Sequence, residues 1–259
     1  MPSAISVSAP RGKSYPSAVA NTYYAADESR AARVNDLFAA IAPRYDLIND
    51  LQSFGLHRFW KRRLVALSGA QEGRRALDLC CGTGDIAFAL AHAGAAVTGL
   101  DFSAPMLAVA RQRLGRCATA LSCEFLEGDA MRLPFSDASF DIVTVGYGLR
   151  NLADWKTGLA EMRRVARPGG RLLVLDFGKP DNRVWRAIYF AYLRLAVPLF
   201  GRIFCRDSAA YAYILESLLH YPAQRGVEAQ MGMIGCANVR VVNFLGGIMS
   251  LNLGEAPRG

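Results

Sequence analysis

The chain has 259 residues, of which 52% are hydrophobic, and it carries a formal net charge of +8. This length supports one α/β domain with a well-buried core, and this apolar content excludes wholesale disorder. Anionic lipid head groups and nucleic acid would both be attracted to such a positive chain, although a solvated basic face is the commonest explanation of the charge.

Residues 1–29 are predicted to form a flexible arm, because they are rich in Ala, Ser, Pro and Tyr and contain no acidic residue before Asp27. An organelle transit peptide is the alternative, since Arg11 and Lys13 occur there without acids. Residues 30–259 are expected to form a single domain. Its expected parts are a helical lid over 30–70, a cofactor-binding core over 71–178, a helical insertion over 179–238 and a C-terminal hairpin over 239–253.

A glycine turn after a short buried strand is the most informative feature of the chain. The strand is predicted at Ala76–Leu79, a compact apolar run. Gly82 and Gly84 then allow the backbone to turn tightly and to approach a ligand closely. A helix is expected to begin near Asp85. This order of strand, turn and helix is typical of nucleotide-binding units.

A second strand, Ala95–Leu100, ends at an acidic residue. The carboxylate of Asp101 can accept hydrogen bonds from two ribose hydroxyls. The alternative is that the glycines merely end a strand and that Asp101 caps the next helix. Residues 82–87 also satisfy the loose G-x-G-x-x-G/A pattern, so this region alone admits a nicotinamide dinucleotide beside S-adenosylmethionine.

Two further strands are predicted at Cys123–Leu126 and Asp141–Val145, and their ends should meet Asp101 at one sheet edge. Asp129 follows the first of them, where its side chain can meet the exocyclic amine of an adenine. Gly146 follows the second. A helix over Asp154–Ala166, stopped by the Arg-Pro-Gly-Gly run, and a strand over Arg171–Asp176 continue the alternation that indicates a parallel sheet.

The C-terminal region separates the two cofactor interpretations. Val239–Phe244 and Gly247–Leu253 are extended runs joined by a short link, which fits an antiparallel hairpin because a parallel crossover needs a dozen residues or more. A mostly parallel seven-stranded sheet closed by such a hairpin, with helices on both faces, is the Rossmann-like α/β fold of class I S-adenosylmethionine-dependent methyltransferases. That pattern argues against the nicotinamide interpretation.

Several motifs resemble those of the ubiquinone/menaquinone biosynthesis C-methyltransferases, over about residues 34–253. The most specific are the Tyr-Asp-x-x-Asn-Asp run at residues 45–50, the His-Arg-x-Trp-Lys run at residues 57–61 and the Gly-Leu-Arg-Asn turn at residues 148–151. The chain departs from the usual signature at Cys80, where a glycine is typical, and at Gly146, where many members carry a serine. We expect cofactor binding to survive the first departure, whereas the second removes a hydroxyl contact.

The resemblance implies methylation of a ring carbon of a polyprenylated quinol, with S-adenosylmethionine as methyl donor. Arg150 and Asn151 are the first catalytic candidates: the guanidinium would stabilise a developing phenolate or orient a water, and the amide would fix the ring. Tyr45 and His57 are the second candidates, with helix packing in the lid as the alternative role for both. The implied cofactor site comprises Asp78, Gly82, Thr83, Gly84, Asp101, Phe102, Asp129, Ala130 and Gly146.

The resemblance leaves the head group open between a naphthoquinol, leading to menaquinone, and 2-methoxy-6-polyprenyl-1,4-benzoquinol, leading to ubiquinone, with the naphthoquinol preferred. It also implies a cytoplasmic protein peripheral at the inner face of a membrane, or one in an organelle matrix. Anionic lipid, quinone-pathway enzymes and a second copy of the chain are the further partners considered. The six cysteines and three histidines show no metal-ligand spacing, so no metal is expected.

The most apolar long stretch is Ala187–Phe200. It contains Arg194 and Pro198 and is shorter than the roughly 20 residues needed to span a bilayer. The stretch is therefore expected to wall a lipid-binding pocket or to contact a membrane surface, with an ordinary core helix as the alternative. The resemblance favours a channel for a greasy substrate.

The sequence lacks two motifs that are typical of nucleic-acid methyltransferases. The fourth strand ends in Gly-Tyr-Gly rather than in the Asn/Asp-Pro-Pro-aromatic turn used to reach an amino group of a base, and no Pro-Cys or Thr-Cys dipeptide supplies a thiolate for cytosine. No nucleic-acid partner is therefore expected. The remaining alternatives are a class I methyltransferase acting on another lipid or on RNA, and a non-catalytic scaffold that binds S-adenosylmethionine.

Overall fold

The computed structural model describes residues 50, 53–118, 120–204 and 209–258. The predicted N-terminal arm and Tyr45 lie outside these residues. Within them the chain forms an α/β structure built around one sheet of seven strands.

The strand order in the sheet is β3-β2-β1-β4-β5-β7-β6. The strands are β1 (Arg75–Leu79), β2 (Ala96–Asp101), β3 (Cys123–Glu127), β4 (Phe140–Gly146), β5 (Ala166–Phe177), β6 (Ala237–Phe244) and β7 (Met249–Glu255). Neighbours from β3 to β5 pair in parallel. β7 is antiparallel to both β5 and β6, which confirms the predicted C-terminal hairpin and the class I methyltransferase topology.

Seven α-helices are described around the sheet. They are α1 (Leu56–Ser68), α2 (Asp85–His92), α3 (Ala104–Leu114), α4 (Trp155–Val165), α5 (Arg183–Phe204), α6 (Ala209–His220) and α7 (Ala223–Met233). Helices α1, α2 and α3 supply buried residues to one hydrophobic cluster, whereas α4 and α7 supply buried residues to a second. Alternate residues of β4 and β5 enter the two clusters, so the sheet is covered on both faces, as predicted.

The predicted strands and helices are present, and the main difference lies between α4 and β5. The helix ends at Val165 and the strand begins at Ala166, five residues before the predicted Arg171. Ala166 pairs with Phe140 of the neighbouring strand, and the register then shifts before pairing resumes at Arg171. The Pro-Gly-Gly run therefore forms an irregularity inside a strand rather than a loop before it.

The sheet places the ends of its strands where a ligand can reach them. β6 runs in the same direction as β5, because both are antiparallel to β7. The carboxyl end of β6 at Phe244 therefore lies at the same edge as the ends of β2, β4 and β5. In open α/β sheets, ligands bind at this edge.

Helix α5 contains the apolar stretch Ala187–Phe200. Among the described residues, no helix combines the length and the apolar character needed to cross a bilayer.

Candidate active site

The glycine turn after β1 is fastened to the end of β2 by Asp101. The Gly82 amide donates to Asp101 Oδ2 at 2.7 Å, and the Ser103 amide donates to Oδ1 at 2.8 Å. Burial raises the pKa of Asp101, while the backbone hydrogen bonds act to lower it. An ionised carboxylate has about four acceptor positions, so Asp101 can also accept from the two hydroxyls of a ribose.

Both the backbone conformation and the close neighbours at position 84 require a glycine. Its φ is +90°, in the left-handed region. A Cβ at this position would lie 2.8 Å from Phe88 Cε2 and 2.9 Å from Phe125 Cζ. The turn therefore packs directly against α2 and β3, which explains why no larger residue stands there.

A pocket opens beside this turn at the carboxyl edge of the sheet. It is lined by seven of the predicted site residues: Gly82, Asp101, Phe102, Asp129, Ala130, Gly146 and Asn151. It is also lined by Leu100, Ser103, Met106, Leu152 and Ala153, which sequence reasoning did not single out. The predicted ribose-binding and adenine-binding residues thus face one space together with Asn151, the one predicted catalytic residue among the described lining.

Two residues are placed to bind the base of a nucleoside. Asp129 Oδ1 accepts from the Met131 amide at 2.8 Å, which fixes its carboxylate at the pocket wall. Phe102 is 55% exposed at the same wall and offers a ring face to a planar ligand. This arrangement suits an adenine held between an acceptor and an apolar surface.

Three predicted cofactor residues support the pocket without lining it. Asp78 is 1% exposed, and its Oδ1 accepts from Thr144 Oγ1 at 2.7 Å. Burial raises the pKa of Asp78 to about 7. Thr83 is also buried, and Gly84 packs behind the turn.

The structure explains both departures from the usual signature. Cys80 adopts a positive φ of 51° and lines the pocket, and a Cβ at Gly148 would lie only 2.3 Å from its Cβ. Gly148 therefore makes room for the cysteine. A Cβ at Gly146 would lie 2.3 Å from Ile86 Cδ1, so a serine there would displace the Ile86 side chain.

Arg150 and Asn151 stand on one short 3₁₀ turn, Leu149–Asn151, but they face different surroundings. Asn151 lines the pocket, and its Nδ2 donates to the Tyr147 carbonyl at 3.3 Å. Arg150 is buried and does not line it; its Nη1 donates to Asp176 Oδ1 at 2.6 Å. The Arg150 amide also donates to Asp176 Oδ2, at 3.2 Å.

His57 is buried in the first turn of α1 and forms a pair with Asp50. Its Nε2 lies 2.7 Å from Asp50 Oδ1, and Arg58 also donates to Asp50. Hydrogen bonds from Arg58 and His57 lower the pKa of Asp50 to about 2. An ionised carboxylate only accepts, so Nε2 carries a proton; the Nδ1 atom is buried and has no hydrogen-bond partner among the described residues.

An ion network joins α1 to the glycine turn. Lys61 Nζ lies 2.7 Å from Asp85 Oδ2, and Arg113 Nη2 lies 2.8 Å from Asp85 Oδ1. Arg113 Nη1 donates to the Thr83 carbonyl at 2.9 Å. Lys61 also stands 5.9 Å from the centroid of the Tyr147 ring, which lines the pocket. The network therefore connects three elements around the site.

Sequence reasoning missed the partners that hold these groups in place. Asp50 and Lys61 stood in the quoted motifs, where their charges could have marked them as candidates for an ion pair. Asp176 and Arg113 gave no local signal, because their partners lie 26 and 28 positions away in the chain. Among the described residues, no group of three or more His, Cys, Asp or Glu could hold a metal ion.

Comparison with known families gives a match over most of the chain. The model of the ubiE/COQ5 methyltransferase family matches residues 26–255. The chain is 40% identical to the ubiquinone/menaquinone biosynthesis C-methyltransferase UbiE of Stutzerimonas stutzeri over 235 residues, which cover 89% of this chain and 91% of that protein. It is 36% identical to a demethylmenaquinone methyltransferase of Staphylococcus aureus, with 88% of this chain and 95% of that protein covered.

A solved structure shows the same fold. The chain is similar to an S-adenosylmethionine-dependent methyltransferase of Thermotoga maritima, described as a possible histamine N-methyltransferase, with a TM-score of 0.60 and 19% identity. The similarity covers 85% of this chain and 99% of the other. At 19% identity this similarity shows the fold and does not show the activity.

The buried Asp78 predicts a pH dependence of stability. Its pKa is raised from 3.8 to about 7, so the folded state holds this proton more tightly than the unfolded state. The stabilisation is present at low pH and is lost as the pH rises through 7. We expect the unfolding free energy of wild type to fall between pH 5 and pH 8. This fall should be on the order of 2 kcal/mol larger in wild type than in Asp78→Asn.

Urea unfolding of both proteins at pH 5 and pH 8 measures this difference, because other titrating groups contribute equally to both. Glu72→Gln, at an exposed residue, is the control and should follow wild type. Identical pH dependence in Asp78→Asn and wild type would show that Asp78 is ionised at both pH values.

The ion network predicts that Lys61 stabilises the link between α1 and the turn. Lys61→Met keeps the aliphatic stem and removes the charge, leaving Asp85 with a single cationic partner. We expect the unfolding free energy to fall by about 1–3 kcal/mol. Arg62→Met, at the exposed neighbour on the same helix, should change it by less than about 0.5 kcal/mol. Equal effects of the two substitutions in urea unfolding would contradict the assignment.

Proposed function

The chain belongs to the ubiE/COQ5 methyltransferase family, and we propose that it transfers a methyl group from S-adenosylmethionine to a ring carbon of a polyprenylated quinol. One observation carries the proposal: the Gly82 turn, Asp101, Asp129 and Asn151 line a single pocket. The proposed cofactor residues therefore share their pocket with Asn151, one of the candidate catalytic residues.

The residues around the pocket fit the parts of the cofactor in a definite order. Asp101 would accept from the ribose hydroxyls, and Asp129 would accept from the adenine amine. Phe102 and Ala130 would pack near the adenine ring, and the turn at Gly82 would leave space for the methionine portion. The bound cofactor supplies an electrophilic methyl group on its sulfonium.

The remaining task of the protein is to make the ring carbon a better nucleophile and to hold it in line with that methyl group. A phenol-like hydroxyl titrates near pH 10, so at neutral pH its ionisation needs a proton acceptor or a cation. Arg150 stays protonated but does not line the pocket, so in this proposal its charge acts from behind the pocket wall, where hydrogen bonds to Asp176 and to the Tyr147 carbonyl hold it. Asn151, on the same turn, positions the ring from the pocket wall.

Asp176 acts as a positioning residue for Arg150 in this proposal. It accepts hydrogen bonds from both the amide and the guanidinium of Arg150, and both side chains are buried. The Arg150 guanidinium also stands 4.7 Å from the centroid of the Phe177 ring. These contacts leave the guanidinium little rotational freedom. Its positive charge is therefore held in a fixed position and orientation.

His57 is the proposed proton acceptor. Asp50 accepts from Nε2, and Nδ1 is buried without a hydrogen-bond partner among the described residues, so Nδ1 is the atom that would take the proton in this proposal. His57 lies one helical turn before Lys61, whose ammonium group faces the pocket residue Tyr147. Tyr45, outside the described residues, stays a candidate on the strength of the family motif.

The isoprenoid tail is expected to supply much of the substrate affinity, since each buried methylene contributes roughly 0.8 kcal/mol. Head-group selection can then be loose, and both a naphthoquinol and a methoxybenzoquinol are candidate acceptors. We propose demethylmenaquinol as the main acceptor, because one relative is named for demethylmenaquinone alone and the other for menaquinone together with ubiquinone.

The same tail bears on where the protein acts. A polyprenylated quinol resides in a bilayer, so we propose a peripheral position at the inner face of the cytoplasmic membrane, with quinone-pathway enzymes as neighbours. A second copy of the chain is a further candidate partner. An organelle matrix is the corresponding location if residues 1–29 act as a targeting segment.

A methyl-transfer assay tests the proposed function. Purified protein is incubated with methyl-labelled S-adenosylmethionine and reduced demethylated quinols, with phospholipid and RNA offered in parallel. We expect label in the quinol alone. Label only in phospholipid or RNA would contradict the proposal, and cofactor binding without any transfer would indicate a scaffold.

The contribution of Arg150 is tested by Arg150→Lys, which keeps a positive charge beside Asp176 but loses the planar guanidinium. We expect kcat for quinol methylation to fall by roughly 100-fold while cofactor affinity changes less than about twofold. Arg116→Lys, at an exposed position after α3, is the matched control and should behave as wild type. A parallel loss of cofactor affinity and turnover in Arg150→Lys would show that Arg150 shapes the cofactor site instead.

A further inference from the structure

The hydroxyl of Ser103 is a polar group at the pocket that the fold itself does not use. Ser103 lies just after the end of β2, is 4% exposed and lines the pocket. Its hydroxyl oxygen is buried and has no hydrogen-bond partner among the described residues. Leaving a buried hydroxyl without a partner is costly, and most buried polar side chains in proteins are hydrogen-bonded. The burial of this hydroxyl therefore requires an explanation.

Helix capping does not account for the hydroxyl. Ser103 stands at the N-cap position of α3, where a serine side chain usually accepts a hydrogen bond from an amide of the first helical turn. The Ser103 side chain makes no such bond. The Ser103 carbonyl accepts from the Leu107 amide at 3.1 Å, as at any helix start. The helix therefore begins here without help from the hydroxyl.

The backbone of Ser103 is held beside the carboxylate of Asp101. The Ser103 amide donates to Asp101 Oδ1 at 2.8 Å, and the Gly82 amide donates to Oδ2 at 2.7 Å. A serine side chain turns about a single torsion with three staggered positions. The hydroxyl can therefore turn toward a ligand at the pocket wall while the backbone stays in place.

A ribose bound at Asp101 needs a hydrogen-bond donor as well as an acceptor. An ionised carboxylate only accepts, so a ribose hydroxyl that donates to Asp101 keeps lone pairs of its own. The described lining residues between positions 100 and 106 are Leu100, Asp101, Phe102, Ser103 and Met106. Of these five, Ser103 alone has a side-chain donor. Its hydroxyl supplies what the carboxylate lacks.

We propose that the Ser103 hydroxyl donates a hydrogen bond to a ribose hydroxyl of S-adenosylmethionine, which in turn donates to Asp101. Ser103 and Asp101 then act as a donor and acceptor pair that distinguishes ribose from deoxyribose. This role rests on the cofactor site of the proposed function and does not depend on which acceptor receives the methyl group.

Calorimetric titration with S-adenosylhomocysteine tests the role of Ser103, because this ligand has the same ribose and no methyl group to transfer. Ser103→Ala and Ser103→Gly both remove the hydroxyl. We expect the affinity to fall by about 5- to 10-fold in both variants. Ser136→Ala, at an exposed serine, is the matched control and should bind as wild type does. Wild-type affinity in both Ser103 variants would overturn the proposal.

Thermal unfolding without ligand separates this role from a structural one. Since no capping bond is lost, Ser103→Ala should unfold at the wild-type temperature or above it. Loss of a capping hydroxyl would lower the unfolding temperature, and it would lower it more in Ser103→Ala than in Ser103→Gly. A lowered temperature together with wild-type affinity would overturn the proposal in favour of helix capping.

The 2′-deoxy and 3′-deoxy analogues of S-adenosylhomocysteine identify the atom that Ser103 contacts. For the analogue that lacks this atom, Ser103→Ala should change the affinity by less than about twofold. For the other analogue the substitution should keep its full effect. A full effect with both analogues would overturn the assignment to the ribose and would place the hydroxyl against the adenine.

The same titrations distinguish failure of this proposal from failure of the proposed function. Absence of S-adenosylhomocysteine binding to folded wild type would contradict the cofactor site and the proposed function with it. Binding to wild type with unchanged affinity in the Ser103 variants would overturn only the role of Ser103.

Discussion

The hydrogen bond from the Gly82 amide to the Asp101 carboxylate is the constraint on which the site depends. It ties the turn after β1 to the end of β2, at a distance of 2.7 Å. The left-handed conformations of Gly82 and Gly84 make this approach feasible, and the packing of Gly84 against two phenylalanine rings fixes the position of the turn. Because the same carboxylate also faces the pocket, the contact that joins the ends of β1 and β2 also positions a proposed cofactor-binding group.

Buried or half-buried ion pairs surround this turn, and their arrangement indicates a positioning role. A buried pair contributes little net stability, because desolvation of both charges offsets their attraction, but loss of one partner is costly. Asp85 joins α1 to the turn, and Asp176 holds Arg150 beside Asn151. Asp50 orients His57 at the start of α1. Each carboxylate fixes a cationic or titratable group that the proposed reaction uses or that borders the pocket.

Local patterns were sufficient to predict the fold, whereas the binding roles of the pocket residues stay predictions. Apolar runs, glycine turns and the short hairpin link are properties of neighbouring residues, so β1, β2 and the C-terminal hairpin were correctly predicted from sequence. The strand β5 begins earlier than predicted, because pairing of Ala166 with Phe140 overrides the Pro-Gly-Gly signal. Contacts between distant positions, such as Arg150 with Asp176, depend on the completed topology and could not be found in local patterns. The resemblance identified Arg150 as a candidate, but only the structure places it in a buried ion pair rather than at the pocket wall.

Calorimetric titration of S-adenosylmethionine into wild type and Asp101→Asn tests the central claim most directly. Asparagine keeps the shape of the side chain but replaces one of the two oxygens that accept from the Gly82 and Ser103 amides and face the ribose. The account predicts saturable binding to wild type and a loss of at least about tenfold in affinity in a folded Asp101→Asn protein. Unchanged affinity in that variant, or no binding to well-folded wild type, would contradict it.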